Sequence, residues 1–197
     1  MKRQEYEKDI FLNEVYPLNT TTGKLMIEIH LEQYIYLFNE WDNASFKRRD
    51  LDPDLIYFLE ECSQEIPLKH DIELNITITE EKRDLIKEKN IIKGFRNQYI
   101  HYLRLEKRNL KELFMRALLY VVTAFALIFT ASMLEGTLKE HPVSTTLLEG
   151  FYVGGWVFAW EAISSFSFHS GSLRRKIKEY KRFLRAPIHF IYKDKTM

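Results

Sequence analysis

Two long apolar stretches, residues 117–134 and 147–168, lie close together in the second half of an otherwise highly charged chain. The first of them, ALLYVVTAFALIFTASML, contains no charged residue. A bilayer hydrocarbon core about 30 Å thick requires about 20 apolar residues in a helix that rises about 1.5 Å per residue. Each stretch is therefore long enough to span a membrane, and together they predict a two-helix transmembrane hairpin.

Basic residues flank the outer ends of this predicted hairpin, whereas the connecting segment 135–146 carries Lys139 as its one Lys or Arg. The sequence GSLRRKIKEYKRFLR follows the second stretch, and the basic residues before the first are Arg104, Lys107, Arg108, Lys111 and Arg116. Because Lys and Arg near membrane ends stay on the cytoplasmic side, we expect a multi-pass inner-membrane protein with both termini in the cytoplasm. The N-terminal MKRQEYEKDIF lacks the apolar core of a signal peptide, so insertion is expected to depend on the internal spans.

Small residues in the second stretch predict close helix packing. Gly150 and Gly154 form a small-xxx-small pair, which Gly155 extends, and Thr123 and Thr130 share one face of the first stretch. Small side chains let helix backbones approach closely in lipid. We therefore expect this face to hold the hairpin together, to form a homo-oligomer, or to bind another membrane protein.

Glu161 lies in the second apolar stretch, eleven positions after Gly150. At 100° per residue it points within about 20° of the direction of Gly150, so it is predicted to face a packed neighbour, either Thr123 or a second copy of the chain. An ionisable group at membrane depth is a functional candidate. It can equally be structural, either protonated and hydrogen-bonded or close enough to the interface to reach water.

The two flanks of the hairpin predict one small cytoplasmic α+β domain. Residues 24–31 and 71–79 alternate as strands do, and residues 188–193 are predicted to return as a last strand of the same sheet. Asp52 is predicted to cap a helix, and a long charged helix is predicted from Thr79 into the first apolar stretch, interrupted at Gly94. The predicted units are 1–23 as an N-terminal extension, 24–112 as the α+β domain, 113–170 as the hairpin, and 171–197 as a basic helix and strand.

Two surfaces are candidates for contacts. An aromatic and basic segment is predicted to form an exposed partner patch or, alternatively, to cover the edge of a small core; its residues are Phe38, Trp41, Phe46, Arg48 and Arg49. The basic run after the second stretch is predicted to contact anionic lipid headgroups, at about 1 kcal/mol per residue, or to set orientation alone; it contains Arg174, Arg175, Lys176 and Lys178.

Motifs of several enzyme and cofactor classes are absent from the sequence. It has no GxxxxGK[ST], GxGxxG, HExxH or GxSxG motif. A single cysteine, Cys62, rules out an internal disulfide and cysteine-rich zinc modules. The alternating Asp50, Asp52 and Asp54 are better explained by helix capping than by a metal. We therefore expect no catalytic residue, cofactor or metal, and the net charge of +1 gives no reason to expect nucleic acid as a partner.

Two segments resemble a known family. LFNEWDNASFKRRDLDPDLIYFLEECSQEIPLK, and EGFYVGGWVFAWEAI with the later RAPIHFIY, resemble the two halves of a widespread, uncharacterised family of small bacterial two-span inner-membrane proteins. The resemblance covers most of residues 25–192 and implies the same architecture, but no activity. After Trp160 the family has a basic-proline-aliphatic-acid run, whereas this chain has Glu161-Ala-Ile-Ser, so the acid is displaced.

The leading hypothesis is a non-enzymatic anchor or sensor that binds the lipid bilayer, a membrane partner or itself, and a cytoplasmic protein. The alternative is an ion or proton pathway that uses Glu161. Two helices cannot enclose a pore, so that alternative requires several copies of the chain. A membrane-bound enzyme is a third and weaker hypothesis, because no nucleophile–base or metal constellation is recognisable.

Overall fold

The computed structural model describes residues 12, 14–46, 48–138 and 142–193, and these residues divide into two compact units. Unit 1 comprises the described residues up to Leu103 and from Lys178 onward, so both flanks of the apolar region contribute to it. Unit 2 is Arg104–Ile177. The predicted α+β class is confirmed, and the sheet lies in unit 1.

The sheet has three parallel strands in the order β1-β2-β3, namely β1 (Leu25–Leu31), β2 (Ile72–Ile78) and β3 (Ile188–Tyr192). Leu25 pairs with Ile72, and Leu74 pairs with Ile188. The predicted strands, and the return of the last strand to the sheet, are therefore confirmed. The alternating isoleucines and leucines of β1 and β2 lie in the core, as their period of two requires.

Both faces of β2 are buried, including the polar positions of its alternation. Glu73 is 1% exposed and accepts hydrogen bonds from the Asn19 side-chain amide at 2.6 Å and the Thr22 hydroxyl at 3.0 Å. Leu12 and Tyr16 belong to the same hydrophobic core. The described part of the predicted N-terminal extension is thus packed into the domain, because the central strand needs partners for its buried polar groups.

Helix α1 (Pro53–Glu65) begins as predicted, since the Asp52 carboxylate accepts from the backbone N–H groups of Asp54 and Leu55. Helix α2 (Leu85–Leu138) begins later than predicted. Its cap is Asp84, whose carboxylate accepts from the N–H groups of Ile86 and Lys87 at 2.9 and 3.0 Å. The helix continues through Gly94, so the predicted interruption there is wrong.

Unit 2 contains the second part of α2, helix α3 (Pro142–Ser164), a π-helical turn Ser165–His169 and the start of helix α4 (Ser170–Arg185). In the contacts between α2 and the segment that begins with α3, residue numbers fall along α2 as they rise along the other segment. Glu135 bonds to Tyr152, the ring of Tyr120 lies 6.0 Å from that of Phe158, and that of Phe114 lies 5.5 Å from that of Phe166. The two helices therefore pack as an antiparallel pair.

Within the described part of the chain, one helix is long and apolar enough to cross a membrane. It is the Leu85–Gly136 segment of α2, whose best window has a mean hydropathy of 2.2 and is 17% buried. The second predicted span lies in α3, where Glu149, Glu161 and several glycines lower the hydropathy. Helix α3 does not meet the same criterion, so two spans and their orientation stay a prediction.

Candidate functional site

The most exposed aromatic side chain among the described residues lies on a loop between β1 and α1, which we call the Trp41 loop (residues 39–50; Lys47 is outside the described residues). Its two ends are held together. Phe38 and Leu51 form an antiparallel bridge, and the Asn39 N–H donates to the Asp50 carbonyl at 2.9 Å. Backbone pairing therefore holds the two ends of the loop next to each other.

Side-chain acceptors fix the path of the loop. The Asn39 side-chain carbonyl accepts from the Trp41 N–H at 3.0 Å, and the Asp42 carboxylate accepts from the N–H groups of Ala44 and Asp50 at 2.9 and 2.8 Å. These bonds hold the pKa of Asp42 below its ordinary value, the one from Asp50 contributing most. Short polar side chains that bond to nearby backbone define such turns, so the tip of the loop is preorganised.

The loop presents Trp41, which is 94% exposed, and Arg48 of the same loop is also exposed. Arg49 is half-buried and donates to the Asn39 carbonyl at 3.2 and 3.3 Å. Phe38 is 1% exposed and its ring lies 5.3 Å from that of Phe46. Phe38 therefore belongs to the core beneath the loop, in agreement with the alternative prediction and not with an exposed contact, whereas Trp41 and Arg48 are exposed.

The other side of the loop rests on α2 at Gly94. A Cβ atom at this position would lie 2.3 Å from the carbonyl oxygen of Phe46, so a glycine is required for the backbone of the loop to approach. A cavity of about 340 Å³ lies alongside, between the loop and α2. Its lining includes Arg48, Arg49, Gln98 and His101.

Glu161 lines a cavity of about 400 Å³ in unit 2. Ser165 and His169 line it from the same side as Glu161, and α2 supplies Asn109, Glu112, Leu113, Arg116 and Tyr120. Glu161 itself is exposed, and no described residue forms a hydrogen bond or ion pair with it. The arrangement places a carboxylate, an imidazole and a guanidinium around one water-accessible space.

Helical spacing explains why these groups share a face. Glu161, Ser165 and His169 follow one another at intervals of four positions, and side chains four positions apart are neighbours on a helix face. The turn Ser165–His169 at the end of this series is π-helical. The spacing is visible in the sequence, so Ser165 and His169 could have been found from Glu161 by the i, i+4 rule.

The packing glycines differ in their surroundings. A Cβ at Gly155 would lie 2.5 Å from Ile128 Cγ1 of α2, and a Cβ at Gly154 would lie 3.5 Å from Leu127 Cδ1. Nothing lies within 4 Å of the corresponding position at Gly150. Gly155 and Gly154 therefore lie at the contact between α2 and α3, and Gly150 faces away from it.

The threonines predicted to face α3 bond within their own helix. Thr123 donates to the Leu119 carbonyl at 2.9 Å, and Thr130 donates to the Ala126 carbonyl at 2.7 Å. Each hydroxyl has one proton, so Thr123 does not donate to Glu161. The expected Glu161–Thr123 bond is replaced by this local one.

The basic run of α4 contains two kinds of residue. Arg174, Arg175, Lys176 and Lys178 are exposed, as a lipid-contacting face requires. Arg182 is 3% exposed and donates to the Ser63 carbonyl at 2.9 Å and to the Ile66 and Pro67 carbonyls at 3.1 Å. It satisfies the carbonyls at the C-terminal end of α1, a role that charge counting along the sequence could not show.

The carboxyl ends of parallel strands are common ligand sites, and here they carry a hydrogen-bonded chain. The Tyr192 hydroxyl donates to Glu88 Oε1 at 2.5 Å, and the buried Tyr34 hydroxyl bonds to that of Tyr192. Burial, followed by the bond to Glu88, raises the pKa of Tyr192. These groups bond to one another and join β3 to α2, which is a structural role.

No group of three or more His, Cys, Asp or Glu side chains suited to a metal occurs among the described residues. Cys62 is buried, and burial raises the pKa of its thiol, so it is protonated at neutral pH and unreactive. No protein-family model matches the chain, and no curated protein or solved structure is detectably similar to it.

Proposed function

We propose that this chain is a non-enzymatic protein of the inner membrane, anchored by the α2–α3 hairpin, whose α+β unit docks a cytoplasmic protein through the Trp41 loop. The hairpin is proposed to span the bilayer twice. The docking loop supplies specificity, and the hairpin restricts the partner to the membrane surface.

The observation that carries the proposal is the exposed apolar surface of the paired helices. Phe125 and Phe129 of α2 are 70% and 63% exposed, and Trp156 and Trp160 of α3 are 71% and 68% exposed. Soluble monomers rarely expose contiguous apolar patches larger than a few hundred Å². In lipid, such an apolar surface carries no cost of exposure to water. The hydropathy of α2 supports the same location.

Charge supports one orientation. Arg116 lies just before the first apolar stretch, Arg174 and Arg175 lie just past the π turn, and the segment between α2 and α3 contains Lys139 as its one Lys or Arg. The positive-inside rule therefore favours cytoplasmic termini.

Membrane topology is tested on the full chain with Cys62 replaced by serine and single cysteines introduced. Val143→Cys, near the start of α3, should react with a membrane-impermeant maleimide in spheroplasts, whereas Ser172→Cys should react after lysis alone. Both proteins should remain in the membrane fraction after alkaline carbonate extraction. Release by carbonate, or equal labelling of the two cysteines, would overturn the membrane hairpin.

Docking is tested with a photo-cross-linking amino acid in place of Trp41. One cytoplasmic protein should be cross-linked from position 41, and Trp41→Ala should abolish its stoichiometric co-purification. Tyr57 is the matched control, because it is an aromatic residue of the same unit that is 64% exposed and lies on α1. Equal cross-linking from positions 41 and 57, or a partner that survives Trp41→Ala, would overturn docking through the loop.

The cavity around Glu161 favours a second candidate function, an oligomeric proton or ion pathway. Its carboxylate and the imidazole of His169 line one space, and both groups can exchange protons. In liposomes containing the full chain, Glu161→Gln should abolish proton flux. Glu149→Gln, which neutralises the exposed acid at the other end of α3, should leave flux unchanged. Absence of flux in the unaltered protein would eliminate this candidate.

A further inference from the structure

A second cavity in unit 2 is an apolar groove of about 360 Å³ between α2 and the end of α3. Its walls include Phe114, Leu118 and Val121 of α2 together with Ala162, Ile163 and Phe166. It shares no lining residue with the Glu161 cavity. The groove is open to the surroundings, and Leu118 and Ile163 on its walls are 55% and 59% exposed.

A guanidinium lies over one end of this groove. The Arg174 guanidinium carbon is 5.7 Å from the ring centroid of Phe114 and 5.7 Å from that of Phe166. The two rings are also in edge contact with each other. A guanidinium within about 6 Å of a ring centroid is attracted by the ring, so the two rings favour a position of Arg174 at this end of the groove.

Arg174 is exposed, and no described acidic side chain forms an ion pair with it. The charge at this end of the groove is therefore positive and available to an anion. Guanidinium groups bind phosphate through two parallel N–H donors. An apolar channel that ends at such a donor matches a molecule with a hydrocarbon chain and an anionic phosphate.

We infer that this groove binds one anionic phospholipid, with an acyl chain along Leu118, Val121 and Ile163 and the headgroup phosphate on Arg174. The inference rests on the proposed membrane location of the hairpin. Phe114 and Phe166 lie at the ends of the two apolar stretches, which is the depth at which headgroups meet hydrocarbon. Charge complementarity distinguishes an anionic lipid from a zwitterionic one, because the latter brings its own cation to Arg174.

The test uses native mass spectrometry of the full chain in detergent, titrated with phosphatidylglycerol or with phosphatidylcholine of the same acyl chains. Phosphatidylglycerol should be retained at one molecule per chain. Arg174→Gln should weaken its retention about tenfold, which corresponds to about 1.4 kcal/mol. Lys181→Gln makes the same charge change farther along α4, at an exposed residue not assigned to lipid contact, and should leave retention unchanged. Equal retention of the two lipids, or equal losses in the two variants, would overturn the inference.

Two further experiments distinguish binding of the whole lipid from binding of a headgroup phosphate alone. Ile163→Trp places a larger ring on the groove wall and should reduce phosphatidylglycerol retention without unfolding, since the position is exposed. Free glycerol phosphate should fail to displace the bound lipid, and displacement would assign the site to a soluble phosphate and overturn the lipid. Carbonate extraction of the unaltered protein keeps the two proposals apart. If the protein stays in the membrane but shows no lipid preference, only the lipid-binding groove is rejected. If carbonate releases the protein, the membrane hairpin is rejected as well.

Discussion

The guanidinium of Arg182 lies 2.9 Å from the carbonyl oxygen of Ser63 and 2.8 Å from its hydroxyl, joining α4 to the C-terminal end of α1. The last carbonyls of a helix have no partner within the helix, and here one buried cation satisfies several of them. The C-terminal helix is thus connected to the N-terminal half of unit 1 by a polar contact as well as by the core.

Arg182→Met should therefore lower the free energy of unfolding by about 3 kcal/mol, because buried carbonyls lose a charged donor. Arg182→Lys should recover part of that loss, since an ammonium cannot reach all of these oxygens at once. Chemical denaturation of the full chain in detergent measures both. The control is Lys181→Met, an exposed neighbour that should change the free energy by less than about 0.5 kcal/mol. An equal loss at position 181 would contradict the role assigned to Arg182.

Tyr99→Phe should leave the free energy of unfolding unchanged or raise it by about 1 kcal/mol. The Tyr99 side chain is fully buried between Phe95 and Phe183, and its hydroxyl has no hydrogen-bond partner among the described residues. Removing an unsatisfied buried hydroxyl while keeping the ring removes a desolvation cost.

Tyr180→Phe is the comparison for Tyr99→Phe. The Tyr180 hydroxyl donates to Glu60 Oε1 at 2.9 Å, so its removal should destabilise by about 1 kcal/mol. Thermal denaturation of the two variants side by side measures the difference. Destabilisation by Tyr99→Phe as large as that by Tyr180→Phe would mean that the Tyr99 hydroxyl is satisfied.

The parts of the fold that sequence reasoning recovers are those determined by local chemistry. The Asp52-Pro53 cap and the alternation of Ile72 to Ile78 each depend on neighbours within a few residues, and both are present in the structure. The sequence predicts too early a start for α2, because two local signals compete there. Glu80 and Glu81 suit a helix N-terminus, but Asp84 makes the bonds.

The features that sequence reasoning missed depend on contacts distant along the chain. Glu73 occupies a polar position of the strand alternation, and its burial depends on Asn19 and Thr22, which lie more than fifty positions earlier in the chain. Arg182 reads as one more cation of a basic helix, and its carbonyl partners lie more than a hundred positions earlier. Of the candidate sites, Glu161 and Trp41 are recognisable by residue type, whereas Ser165 and His169 are recognisable only from their i, i+4 spacing after Glu161.

Gly94→Ala should destabilise unit 1 by about 1 to 3 kcal/mol, the usual cost of overpacking. The added Cβ would lie 2.3 Å from the Phe46 carbonyl oxygen, and backbone cannot move aside as a side chain can. The variant should also lose cross-linking from position 41, because the Trp41 loop must lift from α2.

Gly136→Ala is the matched control for Gly94→Ala, since nothing lies within 4 Å of its Cβ position on the same helix. It should stabilise by about 0.5 to 1 kcal/mol through helix propensity. A stabilising effect at both glycines would show that the loop does not rest on Gly94.

The Trp41 loop should loosen in acid below pH 3.8. Bonds from the Asp50 and Ala44 N–H groups hold the pKa of Asp42 below its ordinary value of 3.8, so the ionised form stabilises the folded loop. A folded-state pKa below the unfolded value gives stability that is present above 3.8 and is lost as the pH falls through the lower value. A carboxyl NMR titration should give a midpoint under 3.8 for Asp42, shared by the amide signals of Ala44 and Asp50. A midpoint at or above 3.8 would contradict those bonds.

Gly155 and Gly150 should respond differently to enlargement, although both belong to the same small-residue pattern. A Cβ at Gly155 would lie 2.5 Å from Ile128 Cγ1 and 3.2 Å from the Ala124 carbonyl, so Gly155→Val should separate α2 from α3 and destabilise by about 1 to 3 kcal/mol. Gly150→Val meets nothing within 4 Å and should leave the hairpin intact. Tryptophan fluorescence during thermal unfolding in detergent measures both, since Trp156 and Trp160 lie on α3.

Cross-linking of the same two variants in membranes then tests whether Gly150 contacts a second copy of the chain. Loss of a cross-linked dimer in Gly150→Val, with unchanged unfolding, would place Gly150 between copies of the chain, because small residues promote close helix approach in lipid. An unchanged dimer would limit the packing role to Gly154 and Gly155 within one chain. If Gly150→Val instead destabilised as much as Gly155→Val, the antiparallel contact described for α2 and α3 would be wrong.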